Sequence, residues 1–489
     1  IPESIRIPPD WFFDSLESYH NSPCLLVRQK ITCCHRRAGG VKSRFRGVRA
    51  ILEIWRATMR IFIRTICILI VLVMIQPSPE AKSEDNGFFV RAITEASSEF
   101  SVGGMSGGNI LIKKIFRASH YFWSHLFLFH INSNSIDQIT YGTDSPNRSS
   151  MDDYFVVWRS GGPFFKYDIA NKVSQELVGV NDLYISDMDS GKVVFNSDYL
   201  TGDARQIILY DLYTDESEQI TEELHQRGKP RINGNGVVWN SGLYYPETDW
   251  DIHYYDISSQ VEHKITADTY DDEDPDVDEG RILWVKSYGD DSGTYGLFFY
   301  DVAQEEETEI LVHDDFIRWE SIDGQDIVWN QKEDGLYKLY HYDISSETVQ
   351  LIPTASELYE PAALKNHRIV WAEQDGGVFF HDLNTGVTQQ ISDHDTCATA
   401  AYLDEDGNIS WATCEGVAFL ATTGCTDDDD DGFAIEGGKC GTIDCDDTDS
   451  TVHPWMAGQD CSNAPDGIDN DCDGEIDEDE CGCFIGIAM

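Results

Sequence analysis

A repeat of about forty residues constrains the fold of this chain more than any other feature of its sequence. Short apolar strand cores, six of which end in tryptophan, recur eight times, with 37 to 46 residues between successive copies. They lie at residues 109–112, 155–158, 192–195, 236–239, 281–284, 326–329, 368–371 and 408–411. Repeats of this length are typical of stacked supersecondary units, none of which can bury its apolar faces alone.

A second motif follows most cores, an aromatic or histidine residue, then aspartate, then an aliphatic residue. It occurs at 167–169, 210–212, 255–257, 300–302, 342–344 and 381–383, with a degenerate copy at 129–131. A closing strand comes after it, a less regular strand precedes each core, and turn-forming residues separate the apolar runs. Four strands per unit predict an all-β chain folded as a β-propeller. Eight cores favour eight four-stranded blades, and seven copies of the aspartate motif make seven blades the alternative. Residues 87–94 are predicted to supply a strand that closes the ring.

The order of these motifs, Ile-Val-Trp, then Tyr-Asp-Ile or Tyr-Asp-Leu, then a closing Ile-Thr, resembles TolB-type propeller repeats. The resemblance covers about 109–424. It implies the propeller fold and carries little information about function.

The repeated residues have structural explanations. The tryptophans are predicted to pack between blades, and each repeated aspartate to accept backbone N–H bonds in an Asx-type turn. Cys397 and Cys414 flank the last core, which predicts a disulfide that staples the closing blade.

Charge and layout predict an exported protein. The formal net charge of −52 disfavours binding to nucleic acid and favours cations as partners. Residues 59–81 have the basic start, short aliphatic run and small-residue end of a signal peptide, with a signal anchor as the alternative. Residues 1–58 are interpreted as upstream translation or a genuine extension, and the mature chain is expected to begin near Lys82.

The cysteines support this interpretation. None lies between 68 and 396, and nine cluster after that, which in an oxidising compartment indicates local disulfides. We expect a secreted, cell-surface or periplasmic protein, monomeric, whose membrane contact is at most an anchor. Residues 481–489 begin an apolar run and are interpreted as a tail.

Residues 425–480 change character and contain two aspartate-rich loops with calcium-binding spacing. The stronger candidate runs from Asp469 to Glu480 and satisfies the EF-hand loop pattern. Its predicted Ca²⁺ ligands are Asp469, Asp471, Asp473, the carbonyl of Glu475, Asp477 and Glu480. No amphipathic helices flank it, so an EF-hand domain is not predicted. We expect a Kd of roughly 10⁻⁴–10⁻³ M, as in other extracellular modules.

The second loop places Asp427, Asp429 and Asp431 ahead of Gly432 but lacks the acid at its twelfth position. The later acids could complete it, namely Asp444, Asp446, Asp447 and Asp449. The alternative is a solvated acidic run. With few apolar residues of its own, the segment is expected to fold with its ions and to have a core separate from that of the propeller, which would span 82–424.

The whole segment resembles the MopE-type putative metal-binding repeat, through the Asp-rich start at 427–433, the acids and cysteine at 444–447, Val452-His453-Pro454, Cys461 and the 469–478 stretch. The resemblance implies a metal site in a surface or secreted protein. Hard oxygen ligands favour Ca²⁺ over copper here.

No catalytic constellation is evident in the sequence. His130, His253, His341 and His381 sit at different offsets in their repeats, so they are not expected to converge. The acidic stretch 271–279 is interpreted as a solvated loop, with a cation-binding patch as the alternative. We therefore expect a non-catalytic propeller that binds a protein or glycan partner and carries a calcium-binding module. The alternative is an extracellular lyase or glycosidase with its site in the propeller funnel.

Overall fold

The fold was analysed in a computed structural model of the protein. The described residues are 87–94, 99–118, 121–142, 145–180, 183–197, 206–221, 226–228, 230–242, 249–289, 293–358, 360–374, 376–392, 397–429, 431–454, 469 and 472. Several predicted segments lie outside these residues. They are the upstream segment 1–58, the signal peptide 59–81, the tail 481–489 and all of the calcium loop 469–480 except residues 469 and 472.

The described chain forms eight antiparallel sheets, numbered here as blades 1 to 8, and each contains four strands except where one strand is split. Blades 1 to 4 comprise β2(Glu99–Ser106), β3(Asn109–Ala118), β4(Tyr121–His130), β5(Ser135–Gln138); β6(Asn147–Met151), β7(Phe155–Arg159), β8(Phe164–Asp168), β9(Val173–Leu177); β10(Leu183–Asp189), β11(Lys192–Ser197), β12(Gln206–Asp211), β13(Glu216–Gln219); and β14(Gln226–Arg227), β15(Arg231–Asn233), β16(Gly236–Gly242), β17(Trp250–Asp256), β18(Val261–Lys264).

Blades 5 to 8 repeat the meander. They comprise β19(Asp271–Asp278), β20(Arg281–Ser287), β21(Tyr295–Asp301), β22(Glu306–His313); β23(Ile317–Asp323), β24(Asp326–Glu333), β25(Leu336–Asp343), β26(Thr348–Ile352); β27(Ala363–Lys365), β28(Arg368–Ala372), β29(Val378–Asp382), β30(Val387–Gln390); and β31(Ala398–Leu403), β32(Ile409–Thr413), β33(Ala418–Thr423) with β1(Phe88–Ala92).

The eight-bladed prediction is confirmed, and the seven-bladed alternative is wrong. The predicted closing strand is also confirmed, because β1 pairs with β33 from Phe88 opposite Thr423 to Ala92 opposite Phe419. The sheet order of blade 8 is β1-β33-β32-β31, so the N-terminal strand is its outermost member. The ring is thus closed by hydrogen bonds between the two ends of the propeller.

The tryptophans pack between blades, as predicted. Trp284 in blade 5 is fully buried and shares an apolar cluster with Val238 and Ile252 of blade 4. Each core tryptophan also stacks on the residue opposite it in the next strand of its own blade, as Trp371 does on Phe379 with ring centroids 5.7 Å apart. The repeat therefore encodes both an intrablade stack and an interblade contact.

The repeated aspartates make the predicted turns. Asp211 Oδ1 accepts backbone N–H bonds from residues 213 and 214 at 2.9 and 3.0 Å. Asp301 and Asp382 repeat this arrangement in blades 5 and 7. Each carboxylate satisfies N–H groups where the third strand of its blade turns into the fourth.

The acidic stretch at the start of blade 5 is not the solvated loop that the sequence predicted. Residues 271–278 form the inner strand β19 rather than a solvated loop, and Asp272 is completely buried. Asp278 accepts a bond from the Gly324 amide of blade 6 at 2.6 Å. Asp276 likewise accepts a bond from the Ile322 amide of blade 6 at 3.2 Å. These acids hold adjacent blades together around the axis.

The acidic C-terminal segment packs directly on the closing strand. Phe89 of β1 is 8% exposed and forms one apolar cluster with Ala434, Cys440 and Cys425. Arg91 Nη2 donates to the carbonyl of Lys439 at 3.2 Å. The expectation of a separate core for this segment is therefore wrong for its described part, because its few apolar residues bury themselves against the propeller.

Three disulfides are present among the described residues. Cys397–Cys414 joins the two ends of the β31–β32 hairpin, as predicted, with its Cα atoms 5.6 Å apart. Cys425–Cys440 and Cys445–Cys472 staple the acidic segment. Both confirm the predicted local disulfides, whereas their pairing was not predicted.

Candidate functional site

The strongest candidate site is a cluster of aspartates in the acidic segment. Candidate ligand atoms of Asp427, Asp429 and Asp431 all lie within 4.8 Å of one another. Their alternation brings the three carboxylates together because the chain turns sharply at Gly432, whose φ of +91° suits glycine. The Gly432 amide donates to Asp427 Oδ2 at 3.1 Å, and the Asp431 amide donates to Asp429 Oδ1 at 3.2 Å. This loop could hold a metal ion.

Asp444 places a buried carboxylate near these three aspartates, close enough for its charge to act on Asp429. It is 2% exposed, its Oδ1 accepts the Asp446 amide at 2.9 Å, and its Oδ2 has no hydrogen-bond partner among the described residues. Asp429 Oδ2 and Asp431 Oδ2 are likewise buried and unpartnered. Buried carboxylate oxygens without partners are costly. In each residue one oxygen fixes the backbone and the other is left available for a cation.

The electrostatics of the cluster point the same way. Burial, followed by the charges of Asp431 and Asp429, raises the pKa of Asp427 to about 6. Burial and Asp431 raise the pKa of Asp429 as well, and the same two causes, with Asp447, raise that of Asp444. Like charges held together in this way are stabilised by a divalent cation.

The other acids of the segment have different roles. Asp447 Oδ1 accepts the Asp428 amide at 3.1 Å and joins the loop to the later acids. Asp446 and Asp449 bond the hydroxyls of Thr448 and Thr451 in local turns, outside the group of adjacent ligand atoms.

The predicted calcium loop from Asp469 to Glu480 is not tested by the structure. Of the predicted ligands in that loop, only Asp469 is among the described residues, and its carbonyl oxygen lies 3.4 Å from Cys445 Sγ. Asp471, Asp473, Glu475, Asp477 and Glu480 lie outside them. The two cysteines grouped with Asp444 form a disulfide and are therefore not free to bind metal.

The inner strands of blades 3 to 6 gather charges around Arg231. Burial opposes its charge, yet Asp187, Asp276, Glu320 and Asp274 raise its pKa. Burial in turn raises the pKa of Asp187 to about 6, and that of Glu320 well above its usual value. Protein atoms surround these carboxylates, but all retain some solvent contact, as expected along the central channel of a propeller. Sequence reasoning missed this cluster because its members come from four different repeats.

Aromatic side chains collect at the end of blades 5 and 6 where the blade-to-blade loops lie. This aromatic mouth consists of Tyr270, Tyr288, Tyr295, Phe316, Trp319 and Tyr337. Phe316 is 50% exposed, and its ring centroid lies 5.0 Å from that of Tyr295. The guanidinium carbon of Arg318 lies 3.7 Å from the ring centroid of Trp319 and 3.4 Å from that of Tyr337. Burial and then Glu273 raise the pKa of Tyr295, which places an exposed carboxylate beside the rings.

Two histidines meet at one aspartate, and of these only His341 is among the four considered in the sequence analysis. Asp326 accepts from His341 Nε2 at 2.7 Å and from His367 Nδ1 at 2.5 Å. His381 is close enough to His341 that its pKa falls, chiefly through burial and then through the charge of His341. His130 and His253 instead pair within their own blades with Asp137 and Glu262. The convergence is invisible in the repeat offsets because His367 lies in a turn of the next blade.

Two observations bear on the compartment. The disulfides indicate an oxidising, extracytoplasmic environment. No helix with the length and apolar character needed to cross a bilayer occurs among the described residues.

Three of the solved structures that are similar to this chain are the following. An oligogalacturonate lyase from Vibrio parahaemolyticus is 13% identical, with a TM-score of 0.45, over 69% of this chain and 94% of the lyase. A prolyl endopeptidase is 10% identical, with a TM-score of 0.47, over 66% of this chain and 55% of that enzyme. The β-propeller domain of the Trilobed protease from Pyrococcus furiosus is 14% identical, with a TM-score of 0.44, over 61% of this chain and 99% of that domain.

No family model matches this sequence, and no curated protein matches it at significant similarity. Similarities this low say nothing about the activity of this chain. The chain is an eight-bladed β-propeller. Its resemblance to TolB-type repeats is confirmed for the propeller fold and for nothing beyond it.

Proposed function

We propose that this protein is an exported, non-catalytic β-propeller that binds a macromolecular partner and binds Ca²⁺ through its acidic segment. The observation that carries the metal assignment is the set of buried, unpartnered oxygens on Asp429, Asp431 and Asp444 beside Asp427. Hard carboxylate oxygens are the ligands Ca²⁺ prefers, and its flexible coordination suits an irregular loop. The ion would offset the mutual repulsion of these acids and order the loop.

Calorimetric titration of the mature protein with Ca²⁺ tests the metal site. Wild type should bind with a Kd of roughly 10⁻⁴–10⁻³ M. Asp431→Asn and Asp444→Asn should each remove one binding event, whereas Asp449→Asn, outside the cluster, should not. Asp469→Ala removes a predicted ligand of the Asp469–Glu480 loop and so measures any Ca²⁺ binding by that loop. Unchanged binding in both cluster variants would refute the assignment.

The partner surface we propose is the aromatic mouth. Exposed aromatic rings beside carboxylates suit cationic side chains, and Arg318 stacked between Trp319 and Tyr337 demonstrates that chemistry within the chain itself. The carboxylates gathered around Arg231 attract cationic groups and repel an acidic glycan. A basic protein segment is therefore favoured over an acidic glycan substrate.

Binding of a fluorescent oligo-arginine peptide tests this surface. Wild type should bind it with an affinity that falls as salt rises, since screening weakens exposed ion pairs. Phe316→Ala and Glu273→Gln should weaken binding, whereas Glu306→Gln on the outer strand β22 should not. Equal affinity in all four proteins would show that only the overall charge attracts the peptide. Turnover of oligogalacturonate by the wild type would instead support the enzyme alternative.

A further inference from the structure

We propose that Ca²⁺ at the Asp427–Asp444 cluster locks the propeller ring by holding the closing strand β1 in place. This inference rests on the proposed calcium site and assigns it a role. The juxtaposition that carries it is the packing of Ala434, next to the cluster, against Phe89 of β1.

The closing strand is the point where the ring can open. It is five residues long, forms the outer edge of blade 8, and pairs only with β33 in its sheet. Its register with β33 runs from Phe88 to Ala92. A short edge strand near the start of a folded unit exchanges and frays readily unless other contacts hold it.

The acidic segment supplies those contacts on one face of β1. Phe89 is buried against Ala434, which is fully buried, and against the Cys425–Cys440 disulfide. Arg91, two residues along the same face, donates to the Lys439 carbonyl. Phe88 points to the other face, where its ring lies 5.1 Å from that of Phe380 in blade 7. The two faces of β1 are thus held by different parts of the chain.

Backbone bonds connect the metal cluster to this contact. The Asp444 amide donates to the Ala434 carbonyl at 3.1 Å, and Ala434 forms a parallel bridge with Ile443. Asp431 lies three residues before Ala434. Drawing Asp431 and Asp444 onto one ion therefore fixes both sides of the bridge that presents Ala434 to Phe89. Without the ion, repulsion between the same carboxylates pushes the two sides apart.

Linkage gives the size of the effect. If the ion binds only when the segment is docked, the opening constant of β1 falls by the factor 1 + [Ca²⁺]/Kd, about 100-fold at 100 times the Kd. Coupling is reciprocal, so loss of the Phe89 contact should weaken Ca²⁺ binding by the same factor by which it reduces the protection.

Hydrogen exchange of the mature wild-type protein, with Ca²⁺ and with a chelator, measures this directly. Calcium should slow exchange of the β1 and β33 amides strongly and that of β16 and β17, across the ring, much less. Phe89→Ala should abolish the calcium-dependent protection of β1. Phe88→Ala removes the same side chain on the opposite face, so it should accelerate exchange yet keep the calcium-dependent slowing. If Phe89→Ala does not fold, Asp444→Asn takes its place as the test. It leaves the apolar contact intact and should remove the calcium-dependent slowing.

The outcomes separate the inference from the proposed function. Absence of calorimetric Ca²⁺ binding in wild type overturns the metal site itself. Normal binding with unchanged β1 exchange overturns only the lock. Calcium-dependent slowing that persists in Phe89→Ala overturns it equally, because protection would then not pass through this contact.

Discussion

Asp272 should destabilise the protein at neutral pH, and Asp272→Asn should remove that cost. The residue is completely buried on β19, where Trp284 Nε1 donates to its Oδ1 at 2.9 Å. Burial raises its pKa from 3.8 to about 6, although Thr266, Lys286 and Trp284 act in the opposite direction. The folded state therefore prefers the neutral acid, and ionisation costs stability. The cost is absent below pH 4, grows as pH rises through 6, and is complete above that.

The size of this cost follows from the difference between the pKa of Asp272 in the folded protein and its ordinary value. That difference is about 2.2, which at 1.36 kcal/mol per pH unit makes the ionised carboxylate cost about 3 kcal/mol at pH 8. Asparagine keeps the oxygen that accepts from Trp284 and carries no charge. The attraction of Lys286 is already contained in the shift, and its closer partner, Asp268 at 2.5 Å, remains.

Urea unfolding at pH 4, 6 and 8, followed by tryptophan fluorescence, measures the difference between variant and wild type. Asp272→Asn should be about neutral at pH 4 and more stable by about 3 kcal/mol at pH 8. Glu306→Gln, an exposed position of the same blade, controls for the change in net charge. A destabilising effect at pH 8, or a difference that does not vary with pH, would refute the reasoning.

Three further predictions concern the propeller scaffold. Glu305 has a φ of +54° in its turn, and the equivalent residue of blade 7 is Gly386. Glu305→Gly should therefore stabilise the protein by about 0.5–1 kcal/mol, and Gly386→Ala should destabilise it by a similar amount, both measured by urea unfolding. Trp371→Ala should cost about 3–5 kcal/mol or prevent folding, because it empties a site between two blades, and a cost below 1 kcal/mol would contradict that packing. Replacing both Cys397 and Cys414 with serine should lower stability by about 3 kcal/mol, from a separation of 17 residues, and equal stability of the oxidised and serine forms would contradict this.

The sequence alone determined the features that local periodicity encodes. Regular spacing of the apolar cores predicted the blades, and the recurrence of tryptophan at the end of six cores predicted buried tryptophans such as Trp284. Turn chemistry predicted the bonds of Asp211 and its equivalents, because an Asx turn forms within three residues. The spacing of Asp427, Asp429 and Asp431 before Gly432 predicted their convergence for the same reason.

The tertiary structure decided what depends on neighbours distant in the chain. An acidic run is expected to be solvated, but the fold buries Asp272 and blade 6 bonds Asp278, and no local pattern reveals that. Asp326 meets His367 only across a blade boundary. The acidic segment was expected to stand apart, since it has few apolar residues. It docks on β1 for that same reason, because Ala434 leaves water by packing against Phe89, a residue at the other end of the folded chain.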